Sequence, residues 1–233
     1  MTILGKLVSG FRTLGKKVRD DLSGIGKKIK LKSQLKPNTD YSKMTKEMKL
    51  QAKMASLAYD APAKRPTDME GYRLDPDFND KYNMVYVGKV VYLVFRGTSP
   101  TDVRDIKSDL EIVRGTEVTN ERFREALELA DKVHKKYKGK TMITVGHSLG
   151  GRLAQIVAKK KSFVKKGVGW NAGCGKGCLW EAFDYASGGK AQPYISHKVL
   201  GDAISMSSGM AGGKVYSYPT KGALKSHSME NFV

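Results

Sequence analysis

The 233-residue chain predicts an α/β fold: a mostly parallel central sheet with helices covering both faces. Three observations predict it. Val90-Val91-Tyr92-Leu93-Val94-Phe95 is a continuous apolar run, as expected of a strand buried on both faces. From there on, short β-branched segments alternate with segments of helical period, the pattern of parallel strands joined by helical crossovers. A glycine-flanked serine, Ser148, sits where one such strand meets one such helix.

The elements follow in chain order. Residues 1–36 carry Ile3, Leu4, Leu7, Val8, Phe11, Leu14, Val18, Leu22, Ile25 and Ile29 at helical spacing with Lys and Arg between them, a basic amphipathic helix. Gly5, Gly10, Gly15, Gly24 and Gly26 interrupt it, and each costs a helix about 1 kcal/mol relative to Ala. The segment therefore needs an outside surface to order it. Pro37–Asp40 reads as a linker and helix start, and residues 41–59 as a helix whose Met44, Met48, Leu50, Met54 and Leu57 fill a core. Lys81–Val87 and Lys89–Phe95 read as two strands joined near Gly88. Asn120–Tyr137 reads as a helix with Phe123, Leu127, Ala130 and Val133 on one stripe. Strand Thr141–Val145, helix Gly150–Lys161 and strand Gly167–Trp170 complete the series. This divides the chain into a basic segment, 1–36, and a main domain, 37–233.

Composition bounds what such a protein does. Apolar residues make up 40% of the chain, enough for a real core. Two cysteines, Cys174 and Cys178, are too few for a disulfide scaffold or a zinc site; they read as small loop residues, with a local bridge as the alternative. The net charge is +19, and residues 1–36 hold ten Lys or Arg against Asp20 and Asp21, so +8 of it lies there. Such a field favours anionic surfaces. A membrane surface would bury the apolar stripe of residues 1–36 while Lys6, Arg12, Lys16 and Lys17 meet lipid headgroups and Phe11 enters the interface. Packing of the same helix on the main domain is the structural alternative. Nucleic acid is disfavoured, because no aromatic interleaving or binding motif accompanies the charge. The apolar stretches are too short to span a bilayer. The first residues lack a secretory h-region, and Thr2 rules out a myristoylation signal.

Gly146-His147-Ser148-Leu149-Gly150 has the G-x-S-x-G form of a nucleophile elbow. A sharp strand-to-helix turn exposes the Ser148 hydroxyl, and Gly146 and Gly150 leave room for the neighbouring strand and helix. The helix N-terminus behind Ser148 offers backbone N–H groups to a developing oxyanion.

Several motifs in order give the chain a wider resemblance. Met54-Ala55-Ser56-Leu57-Ala58-Tyr59, Phe95-Arg96-Gly97-Thr98, Asp109-Leu110 and Gly146-His147-Ser148-Leu149-Gly150-Gly151 resemble the Ala-Tyr helix, F-R-G-T strand end, Asp-Leu and G-H-S-L-G-G of the class 3 lipases. The similarity covers roughly residues 41–233 and implies an α/β-hydrolase fold, lipid-ester substrates and no metal or organic cofactor. It implies that Thr98 and Leu149 form the oxyanion hole. Val199-Leu200-Gly201-Asp202 looks like the element that carries the family's acid, and His227-Ser228-Met229-Glu230-Asn231-Phe232 like the one that carries its base. Ser148, Asp202 and His227 would then form the triad. The chain departs from the family in the short stretch after Asp109, which leaves little room for a large lid, and in having Val103 and Ile106 where an aromatic residue is usual.

Rivals exist for both partners of Ser148. His197 lies close to Asp202 in sequence, His134 sits on a Lys-rich helix as a solvated residue, and His147 within the elbow points away from the nucleophile; Asp184 is the second acid. The expected activity is serine-dependent hydrolysis of glycerolipid acyl esters at anionic membranes, with membrane penetration as an extension. A soluble esterase and a non-enzymatic membrane-binding protein are the alternatives. The expected location is peripheral membrane or cytoplasm, with virion- or toxin-like delivery as a further option; oligomeric state is left open.

Overall fold

The computed structural model describes residues 37–98, 121–174, 192–202, 213–220 and 227–233, with single positions at 178, 181, 184, 187, 188, 190, 205 and 208. The basic segment with Lys6, Phe11, Arg12, Lys16 and Lys17 lies outside the described residues, as do Val103, Ile106, Asp109 and Leu110.

Among the described residues, eight strands form one sheet whose spatial order follows the chain: β1 (Asp68–Met69), β2 (Tyr72–Asn79), β3 (Asn83–Val87), β4 (Val91–Phe95), β5 (Met142–His147), β6 (Val164–Trp170), β7 (Tyr194–Val199) and β8 (Lys214–Tyr218). β1 to β4 pair antiparallel and β4 to β8 pair parallel, so the predicted mostly parallel sheet carries an antiparallel flank. Helices α1 (Lys46–Leu57), α2 (Glu121–Lys136) and α3 (Leu149–Lys160) cover it.

The apolar run of β4 explains the layering. Its side chains alternate, so Val91, Leu93 and Phe95 pack with Phe123, Ala130 and Val133 of α2 and Leu153, Ile156 and Val157 of α3. Tyr92 and Val94 face the other way, onto Leu50, Met54 and Ala55 of α1. β5 repeats the division: Ile143 and Val145 join the α1 side, while Thr144 turns to α3 and donates its hydroxyl proton to the Ala154 carbonyl at 2.7 Å. In β6, Gly167 lets α3 press onto the sheet, because a Cβ there would lie 2.5 Å from the Ala154 carbonyl oxygen.

Several local expectations need correction. Residues 41–59 are not one helix. Asp40 caps a 3-10 turn at Tyr41–Lys43, and Thr45 then caps α1 by accepting from the Met48 N–H. Two competing caps within six residues divide the segment. Pro37–Asp40 is docked rather than a free linker: Asn38 pairs with β8 through its side-chain oxygen on the Ser217 N–H at 2.8 Å and its amide on the Val215 carbonyl at 2.9 Å. β1, β2, β7 and β8 were not legible as strands. β2 contains Asp75-Pro76-Asp77 and a register shift between Leu74 and Asn79, so its alternation is broken where Pro76 cannot donate.

At the β8 side of the sheet, His197 is enclosed by aromatic rings. It stacks on Trp170 at 3.8 Å and on Tyr216 at 4.9 Å, and its Nδ1 lies 3.0 Å from the Tyr218 hydroxyl. Burial, reinforced by Lys166 and Lys214, pushes the imidazole down to about 3. In the unfolded chain it titrates near 6.5, so the unfolded state binds more protons between those values. Stability is therefore full above about pH 6.5 and falls as pH drops through that window. Replacing His197→Phe keeps an aromatic ring in the stack and removes this proton linkage. The loss of unfolding free energy between about pH 7.5 and pH 4.5, measured by urea denaturation, should shrink by roughly 2–3 kcal/mol in the variant. An unchanged loss would show that His197 does not stay neutral in the fold.

Candidate active site

The site lies at the carboxyl ends of the parallel strands, where open α/β sheets place their crevices. Ser148 alone separates β5 from α3, with φ 56° and ψ −125°. That left-handed conformation costs a side-chain-bearing residue on the order of 1–3 kcal/mol. Its neighbours hold it there. The Ser148 N–H donates to the Trp170 carbonyl at 3.1 Å, and its own carbonyl accepts from Arg152 at 3.1 Å and Gly173 at 3.0 Å. The flanking glycines are steric necessities: a Cβ at Gly146 would stand 2.2 Å from the Gly150 carbonyl oxygen, and one at Gly150 would stand 2.2 Å from the Phe95 carbonyl oxygen.

His227 and Asp202 meet Ser148. His227 Nε2 is 2.8 Å from Ser148 Oγ, and its Nδ1 is 2.9 Å from Asp202 Oδ2. Asp202 is buried, and the same oxygen accepts from the Ser205 hydroxyl at 2.5 Å. A carboxylate can only accept, so Nδ1 carries the proton and Nε2 is left to accept from Ser148. A hydroxyl, imidazole and carboxylate in this relay can perform nucleophilic acyl transfer.

Each member is placed by a different element. Asp202 follows β7, whose end is extended by Asn171: the Asn171 side-chain oxygen accepts from the Val199 N–H at 2.9 Å, and its N–H donates to the His197 carbonyl at 2.7 Å. Asp202 then donates its own N–H to the Val199 carbonyl at 3.2 Å. His227 precedes a 3-10 turn at Met229–Asn231 capped by Ser228. Beyond that turn, Phe232 sets its ring edge-on to Trp170 at 4.8 Å and Tyr218 at 5.4 Å, anchoring the segment in the α1-side core. His147 is fully enclosed within the elbow, its Nε2 2.7 Å from the His227 carbonyl oxygen and its Nδ1 2.7 Å from the Tyr59 hydroxyl. The sequence places His147 in the elbow but points to neither its bonds to Tyr59 and His227 nor any part for Asn171. The partners of both residues lie far along the chain, and no local pattern pairs them.

Thr98 lies three residues beyond the end of β4, and Leu149 heads α3 on the far side of Ser148. Gly97, beside Thr98, lies against the elbow: a Cβ there would come within 2.6 Å of the His147 carbonyl oxygen and 3.1 Å of Ser148 Cβ. Arg96 steadies this loop. Its guanidinium lies over the Tyr82 ring at 4.9 Å, and its carbonyl accepts from buried Arg122 at 3.2 Å, itself 4.2 Å over the same ring.

The rivals lie elsewhere. His197 is locked in its aromatic stack, and Asp184 is exposed. His134 is half-buried and stacked on Phe163 at 4.0 Å, not solvated, because α2 turns that side toward the loop before β6. Cys174 and Cys178 are joined in a disulfide rather than being separate loop residues; the bridge begins next to Gly173, the residue hydrogen-bonded to Ser148. Nearby, buried Arg152 of α3 grips Glu181 with both terminal nitrogens, at 3.1 and 3.3 Å, and Lys159 and Tyr194 join the same carboxylate.

Comparison with known proteins places the chain among the lipid-ester hydrolases. Residues 51–174, from within α1 through the elbow to just beyond β6, match the Tle-like phospholipase domain, a phospholipase-like family. The match spans more than half of the chain, which belongs to this family. No curated protein sequence matches it. Among solved structures, a triacylglycerol lipase from Penicillium expansum is similar over 78% of this chain and 81% of its own, with 19% identity and a TM-score of 0.43.

The elbow geometry yields a direct test. Gly150→Ala should push a methyl group into the Phe95 carbonyl, which is backbone and cannot turn aside. The expected result is a stability loss of about 1–3 kcal/mol or more in urea denaturation. A variant as stable as the parent would mean that β4 and α3 are not in this close register.

Proposed function

We propose that the chain hydrolyses acyl esters of glycerophospholipids by serine-dependent acyl transfer, acting at anionic membrane surfaces. The observation that carries the chemistry is the relay of Ser148 to His227 at 2.8 Å and His227 to Asp202 at 2.9 Å. Membership of a phospholipase-like family supports the substrate class.

In this reading His227 Nε2 takes the Ser148 proton as Oγ attacks the ester carbonyl. The charge that appears on His227 is stabilised by the buried Asp202 carboxylate, which also keeps Nε2 aimed at Ser148. The carbonyl oxygen becomes an oxyanion facing the N–H of Leu149 at the head of α3 and the N–H and hydroxyl of Thr98. Two such donors are worth several kcal/mol of barrier together. Collapse of the tetrahedral adduct expels the lysophospholipid alcohol, which takes the proton from His227. Water then attacks the acyl-serine with His227 again accepting the proton, releasing fatty acid and restoring Ser148. Every step uses the chain's own groups.

The charge supplies the location. Ten basic residues among the first 36, within a net charge of +19, would draw the protein to anionic phospholipid, with Lys6, Arg12, Lys16 and Lys17 facing headgroups and Phe11 in the interface. Docking of this kind makes the protein a peripheral membrane enzyme. Combined with lipid erosion, it would serve membrane penetration by a toxin-like protein.

Two measurements test the reading. Ser148→Ala and His227→Ala should each lower phosphatidylglycerol hydrolysis in vesicles by at least about a thousandfold; full activity in Ser148→Ala would end the serine mechanism. Changing Lys6, Arg12, Lys16 and Lys17 to Glu should weaken binding to anionic vesicles by roughly 1 kcal/mol per residue removed. Hydrolysis of soluble p-nitrophenyl butyrate should stay unchanged. Equal vesicle binding in both proteins would refute the anchoring role.

A further inference from the structure

A general base is useful only if its ring is held within a fraction of an ångström of the nucleophile. Asp202 orients the His227 ring through Nδ1, but where the ring stands also depends on the backbone of His227. His147 performs this task from inside the elbow, with Nε2 2.7 Å from the His227 carbonyl oxygen.

The direction of each hydrogen bond can be derived. Burial, with His227 alongside, pushes the His147 imidazole down to about 3, so the ring is neutral at working pH. A neutral imidazole has one donor and one acceptor. The carbonyl can only accept, so Nε2 carries the proton and Nδ1 must accept from the Tyr59 hydroxyl at 2.7 Å. The donors run one way, from Tyr59 to His147 to the His227 carbonyl, an arrangement in which each bond strengthens the next.

Tyr59 reaches a third part of the site. It lies just beyond α1, and its hydroxyl lies so close to Gly97 that a Cβ there would stand 2.1 Å from it. One phenol thus touches the loop that carries Thr98, the elbow histidine and, through it, the backbone of His227.

We infer that Tyr59 and His147 are positioning residues that lock the His227 backbone to the nucleophile elbow and the Thr98 loop. This rests on the reading of Ser148, Asp202 and His227 as the triad, and the test separates the two.

Full-length Tyr59→Phe, His147→Phe, His147→Gln and Ser148→Ala would be compared by kcat and KM on p-nitrophenyl butyrate, with melting temperature as a check on folding. His147→Phe should lower kcat by about 10- to 100-fold while KM stays within about twofold, since a base displaced by a fraction of an ångström loses turnover, not binding. Tyr59→Phe should lower kcat in the same direction by about 3- to 10-fold, because it removes only the proton that fixes the His147 tautomer. His147→Gln should recover much of the loss, since its amide N–H can still donate to the His227 carbonyl. A Gln variant as slow as the Phe variant would assign the loss to packing and overturn the inference. So would kcat values within about twofold of the parent in both Phe variants while Ser148→Ala is inactive. Should His147→Phe fail to fold, Tyr59→Phe decides alone, because it keeps the ring and deletes one hydroxyl. Activity surviving in Ser148→Ala would instead bring down the triad reading itself.

Discussion

The structure depends on one strained residue held between two fully packed elements. Ser148 takes a left-handed backbone between β5 and α3, and it can do so only because β4, β5 and α3 meet there with no side chain at Gly146 or Gly150. The strain, on the order of 1–3 kcal/mol, is small beside what surrounds it. Every residue of α3 from Leu149 to Ala158 is buried. Leu153, Ile156 and Val157 alone contribute about 1.5–3 kcal/mol each. The helix cannot turn away to relax Ser148 without exposing that surface, so core packing keeps the serine hydroxyl presented.

The other groups of the site are tied to the same frame from outside it. Asp202 hangs from β7 through Asn171, which continues strand-like pairing past the end of β6. His227 is tied down by Phe232 in the core on the opposite face of the sheet from α3, and by His147 from within the elbow. The two cores therefore meet at the candidate site: the α3 side presents the Ser148 hydroxyl, and the α1 side sets where the His227 ring stands. Tyr59, at the end of α1, belongs to both arrangements.

The balance of charge within the site and across the chain differs in kind. Inside, the carboxylates of Asp202 and Glu181 are matched by named hydrogen-bond donors, and His147 and His197 are kept neutral by burial. Over the whole chain the balance is +19. These internal charges are thus matched locally, while the excess cation is a property of the surface and of residues 1–36, suited to acting on partners of opposite sign.

What the sequence determined by itself is what local sterics and period dictate. The buried run of β4, the stripe of α2 and the elbow were legible because each depends on residues within a few positions: alternation in a strand, spacing in a helix, and the two glycines around Ser148. Element ends moved by up to three residues, with β5 continuing to His147, α3 starting at Leu149 and β6 starting at Val164 rather than Gly167. Strands β1, β2 and β8, with broken or half-exposed alternation, were not legible, nor were β7 and the division of residues 41–59 by two caps. Asp202 and His227 could be named only through resemblance, since nothing in their own neighbourhoods requires either to approach Ser148. Their meeting, across 25 and 79 positions of chain, was decided by the sheet that brings the ends of β5, β7 and the last turn together. The same holds for Asn171, for the chain from Tyr59 through His147 to His227, and for the bond between Cys174 and Cys178. A hydrogen bond between distant residues forms only after packing has fixed where both backbones lie, so it belongs to the tertiary structure.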